Sequence, residues 1–149
     1  MRVTLRHVEP SEADADDWPG RRLGFPPEGP GAVAGWGRRL LALLIDWALS
    51  LFAVAAFLGS DVWTERGAAQ WAPLVVFAFE VWILTTLLGG SAGQIAMRVV
   101  VRRTSGNPLD IFRALLRTVL ICLVIPPVVY NPDQQGLHDL AVDSIALRR

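Results

Sequence analysis

Two apolar blocks, Leu40 to Gly59 and Trp71 to Leu88, constrain this chain more than any other feature of it. Each is close to the roughly 20 residues that, as a helix rising about 1.5 Å per residue, cover the hydrocarbon thickness of a bilayer. The 52% apolar content of the 149 residues is therefore concentrated rather than spread, and it predicts an integral membrane protein. Trp36 before the first block and Trp63 after it suit aromatic anchoring at the two interfaces. Pro73 falls in the first turn of the second block, where a missing backbone donor does no harm, and Gly89 and Gly90 end it.

The sequence on either side is less regular. Residues 1 to 35 carry an acidic cluster from Glu9 to Asp17, then PPEGPG, and too little apolar surface to offset ordering entropy, so they read as a flexible tail ahead of a membrane domain spanning 36 to 149. With no apolar core before Leu40, a cleaved signal peptide is not expected. After the second block, IAMRVVVRR mixes β-branched residues with arginine and reads as a short strand ending at Ser105, Gly106 and Asn107. VDSIAL near the C-terminus reads as a second strand able to pair with it.

Between these strands Asn107, Pro108 and Asp110 supply an N-cap, a first-turn proline and a favourable carboxylate for a third helix. Its purely apolar part, Thr118 to Val129, is shorter than a full crossing needs and contains Pro126-Pro127, so both a bent full crossing and a re-entrant segment fit. Arginine counts set the orientation. Arg21, Arg22, Arg38 and Arg39 precede the first block and Arg98, Arg102, Arg103 and Arg113 follow the second, whereas Arg66 alone lies between them, which places the N-terminus in the cytoplasm.

Ionisable residues inside apolar blocks are costly, on the order of 2.5–3.5 kcal/mol for a central aspartate, and each calls for a partner. Asp46 lies inside the first block and Arg39, seven positions earlier, shares nearly the same helix face, so an Arg39–Asp46 pair is expected. Glu80 lies at comparable depth in the second block, where it either approaches Asp46 across the hairpin or pairs with Arg113 or Arg117, an i, i+4 couple on the third helix. The expected centre is thus one intramembrane cluster of Arg39, Asp46, Glu80, Arg113 and Arg117.

Several chemistries find no support. All fourteen basic residues are arginine, so lysine chemistry is unavailable, and no lysine follows the glycines of GGSAGQ, which excludes a phosphate loop there. In that run Gly89 and Gly93 permit close backbone approach, most simply in a turn. His138-Asp139 lacks companion ligands, the other histidine being His7, so no metal is expected. Cys122, the single cysteine, sits in an apolar stretch and packs as a small hydrophobe. No nucleophile stands at a recognisable spacing from a base, and neither catalytic residues nor a cofactor are expected.

The segments RRLLALLID, GGSAGQ followed by MRVVV after two residues, RALLR and GLHDLAVDSIALRR, in that order, resemble the RDD family of bacterial membrane proteins over about Gly35 to Arg149. That family is named for one arginine and two aspartates, and by motif match the resemblance implies Arg39, Asp46 and Asp139. Gln94 stands where many members carry lysine, and Gln134-Gln135 where basic residues often precede the GLHD sequence. The family's molecular role is largely undefined, with cation/proton antiport suggested for some members, and by analogy alone this admits a transporter.

These readings combine into an all-α membrane protein with two transmembrane helices, a third bent or re-entrant membrane helix, and a small cytoplasmic strand pair. The expected role is that of a non-enzymatic scaffold or accessory subunit in a bacterial inner membrane. The alternative is a cation or proton transporter acting as an oligomer. Expected partners are the lipid bilayer and either further copies of the chain or another membrane protein, with no nucleic acid.

Overall fold

The computed structural model describes residues 18–59, 62, 67–123 and 129–149. The expected Trp63 anchor, Arg66, residues 1–17 of the expected tail and the Pro126-Pro127 break lie outside the described residues.

The two apolar blocks form helices α1, Trp36–Leu58, and α2, Ala72–Leu88, the second entered through a 3-10 turn at Ala68–Trp71. Both spans are long and apolar enough to cross a membrane, with mean hydropathy 2.3 for the first and 1.8 for the second including its 3-10 turn. α1 begins four residues before the apolar block does, because Gly35 turns the chain from extended to helical and the Arg39 N–H already donates to its carbonyl. Each helix buries a single row of residues spaced four apart: Ala42, Asp46, Ser50 and Val54 on α1, and Pro73, Phe77, Val81 and Thr85 on α2. Small side chains dominate the α1 row, and this lets helix backbones come close where lipid supplies no hydrophobic drive between them. The outward faces stay bare, with Phe52, Phe57, Phe79 and Leu87 among the most exposed apolar side chains.

α2 stops at Gly89, whose positive φ of 76° suits a residue without Cβ and lets its N–H return to the Thr85 carbonyl. The following segment departs from the expected strand. Ala92–Ala96 forms a short helix, α3, because Ser91 and Gln94 make a capping box: each side chain accepts from the other residue's backbone N–H. The strand β1 is confined to Val99–Arg103.

β1 pairs antiparallel with β2, Ser144–Arg148, in the register Val101 opposite Ala146, as the two β-compatible segments predict. A third piece joins them. Val33 bridges Leu147, the Ala34 N–H donates to Ala146, and Gly31 and Ala32 exchange hydrogen bonds with Arg148. The expected tail therefore does not run to residue 35: Ala32, Val33 and Ala34 are buried, since pairing with β2 satisfies their backbone groups. Residues Val33, Ile145 and Leu147, with Phe25 and Val100 beside them, make one apolar cluster of this cap, and Ala34, Val99 and Ala146 another.

The third helix, α4, runs Ile111–Cys122. It starts later than the Asn107-Pro108 pair suggests, because the Asn107 carbonyl is taken by the Arg103 N–H in the turn leaving β1. Asp110 is the N-cap, its carboxylate accepting from the Arg113 N–H at 3.0 Å. That hydrogen bond is the main reason its carboxyl lies below the usual carboxylate range. α4 packs against α2, and Trp82 Nε1 donates to the Ile111 carbonyl. A final short helix, α5, Leu137–Leu140, leads into β2.

Candidate functional site

Asp139 sits on α5 with no exposed surface and collects charge from two helices. Arg39 Nη1 of α1 reaches its Oδ2 at 3.1 Å, and Arg117 Nε of α4 reaches its Oδ1 at 2.9 Å. Ser144 Oγ donates to Oδ1 at 3.0 Å, and His138 Nε2 lies 3.5 Å from Oδ2. Desolvation pushes this carboxyl up, but Arg117, then His138 and Arg39, outweigh it and hold its pKa at about 2. Each nitrogen of Arg39 donates at least once, since Nε also reaches the Ala34 carbonyl and Nη2 that of Ala146, both in the cap. Arg117 differs, because its buried Nη1 has no hydrogen-bond partner.

Asp46 forms a second centre. Its Oδ2 accepts from Ser91 Oγ at 2.6 Å and its Oδ1 from the Gly93 N–H, so the carboxylate closes over the turn between α2 and α3. Gly93 is required there. A Cβ on it would lie 2.0 Å from the Ala42 carbonyl oxygen of α1, closer than atoms approach. Glu80 of α2 adds to the same turn, with Oε1 accepting from the Ala92 N–H at 2.8 Å and Oε2 buried without a partner.

The expected cluster therefore resolves into two. Arg39 does not pair with Asp46: side chains on a helix lean toward its N-terminus, which carries Arg39 away from a residue seven positions later and into the cap. Glu80 forms no ion pair with Arg113 or Arg117, and its Oε1 accepts instead from the single Ala92 backbone N–H. Arg113 lies at the rim, bound to Asp110 and to the Val142 carbonyl. Asp46 and Glu80 do converge, but on a shared turn.

The residues not singled out in advance are Ser91, which caps α3 and holds Asp46, and Ser144, which holds Asp139. The S-x-x-Q spacing of Ser91 and Gln94 carries the signal for the first. Nothing local marks the second. Among the described residues no group of three or more His, Cys, Asp or Glu side chains is placed to hold a metal ion.

The RDD family model matches residues 33–143, about three-quarters of the chain and the whole arrangement from Val33 to Asp143. The chain belongs to the RDD family. In this RDD protein Arg39 and Asp139 are in direct contact, and Asp46 is held by the turn between α2 and α3. No curated protein and no solved structure matches the chain.

Proposed function

We propose that this RDD-family protein is a non-enzymatic scaffold or accessory subunit of the bacterial inner membrane, with α1 and α2 as full crossings and its cap in the cytoplasm. The observation that carries this reading is the buried Arg39–Asp139–Arg117 triad, whose ion pairs join α1, α4 and the cap. The bare apolar faces of α1 and α2 are then available to lipid and to a partner membrane protein or further copies. α4 supports a re-entrant course. Thr104 and Asp143 are joined by backbone and side-chain hydrogen bonds, so the intervening segment starts and ends at one place, and a helix of 12 residues rises only about 18 Å. The arginine distribution supports a cytoplasmic cap.

Reconstitution into proteoliposomes tests the role: no cation-dependent proton flux is expected. Flux that disappears in Asp46→Asn or Glu80→Gln would replace the scaffold with the transporter reading, which a cavity reaching Asp46 favours. Topology is tested with Cys122→Ala carrying Ala141→Cys, at an exposed cap position. An impermeant thiol reagent should label it only after permeabilisation, and labelling of intact cells would put the cap outside.

A further inference from the structure

A cavity of about 110 Å³ lies between the two charged centres, with Asp46 and Arg117 in its wall and Trp36, Leu40, Leu43 and Tyr130 among the other residues around it. Its size is of the order of the roughly 150 Å³ cavity known to accommodate benzene, so it has room for a small organic group rather than for a lone water.

The chemistry of its wall is specific. Two guanidiniums share one carboxylate at the triad, which leaves one formal positive charge, and Arg117, 2% exposed, keeps Nη1 without a partner. Asp46 has no cation within ion-pair distance among the described residues, yet Arg117 is near enough to act on it electrostatically. Its two oxygens accept one hydrogen bond each from Ser91 and Gly93, leaving about two of a carboxylate's four acceptor sites for a ligand. An anion alone would satisfy Arg117 but face Asp46. A cation alone would satisfy Asp46 but face the triad.

We propose that this cavity binds a small zwitterion, its oxyanion facing the Arg117 guanidinium and its ammonium donating to Asp46, with an apolar stem against Leu40 and Leu43. Such a group is carried both by a free amino acid and by the headgroup of an aminophospholipid. Trp36 and the first turns of α1 place the cavity near the end of a membrane-length helix, within reach of either source. This binding is independent of whether the protein moves ions, so a failed or positive flux assay leaves it standing.

The test uses the full chain, purified in detergent and stripped of lipid. Glycine is added as the free probe, and bicelles containing phosphatidylethanolamine or phosphatidylglycerol as the lipid probes. At about a hundredfold excess over Kd, the zwitterionic probe that fits should raise Tm by roughly 5 °C. A rise with glycine identifies a free solute, and a rise with phosphatidylethanolamine alone identifies a headgroup. Asp46→Asn should weaken binding by about tenfold, and Leu43→Trp, which fills the cavity without touching a charge, should abolish it; Leu40→Phe serves if that variant does not fold. The proposal is overturned if acetate or phosphatidylglycerol stabilises equally, if no probe stabilises, or if the effect persists in the filled variant.

Discussion

Asp139 and Asp46 are both buried, both bound on both oxygens, and held by opposite means. Asp139 is neutralised by two guanidiniums from different helices. Asp46 is held by neutral dipoles, one hydroxyl and one backbone N–H, both from a turn that follows α2 by a few residues. The first arrangement makes the carboxylate a structural counter-ion whose loss strands two charges. The second makes it a cap for backbone donors, a job that a neutral acceptor performs almost as well. The distinction follows from location: the triad lies where α1, α4 and the cap meet, whereas Asp46 sits about two turns past Arg39 along α1, where glycine lets another segment come within reach.

The largest effect should come from Asp139→Asn, which leaves Arg39 and Arg117 buried without a counter-charge and should cost about 3–5 kcal/mol in reversible unfolding. A loss under about 1 kcal/mol would show that the triad does not hold α1, α4 and the cap together. Gly93→Ala comes next, at about 1–3 kcal/mol or more, because the Ala42 backbone rather than a flexible side chain stands in the way. Detergent-phase melting with wild-type stability would mean that α1 and α3 do not approach so closely.

The pH dependence separates the two carboxyls further. Because the folded state holds Asp139 at about 2, below its unfolded value near 4, the stability it contributes is fully present above pH 4. That contribution is lost as pH falls through 2 and amounts to the order of 2 kcal/mol. The acid-induced loss should be absent from Asp139→Asn. Asp46→Asn, with its remaining carbonyl still able to accept, should cost only about 1 kcal/mol. If it proves as damaging as Asp139→Asn, the contrast between the sites collapses. The smallest effect is an expected null: Arg39→Gln and Asp46→Asn should add to within about 0.5 kcal/mol, while Arg39→Gln with Asp139→Asn should not.

These comparisons also mark what local sequence carries. The hairpin was legible because twenty apolar residues in a row have few other uses, and the strand pair because β-branched runs ending in turn residues are a strong signal. Ion-pair partners were not. Arg39 and Asp46 share a face by spacing, but spacing ignores the direction in which side chains lean, and it cannot see a carboxylate 100 positions away. The same limit applies to residues 31–34, whose composition resembles a linker while their backbone completes a sheet edge with a distant strand. Arg113 and Arg117 differ for a related reason. They are four residues apart, yet the packing of α4 buries only Arg117 fully.

The triad has a consequence for the order in which the chain is made. Its carboxylate comes 100 residues after Arg39 and 22 after Arg117, and β2, which ties residues 31–34 to β1, comes later still. At roughly 5–20 residues per second, Arg39 waits about 5–20 s at the ribosome before Asp139 is synthesised. During that interval the nascent hairpin displays an unneutralised guanidinium at its rim. The carboxylate that closes the triad is therefore made after both of its cations, and a chain interrupted before it leaves two cations exposed as a visible mark of incompleteness.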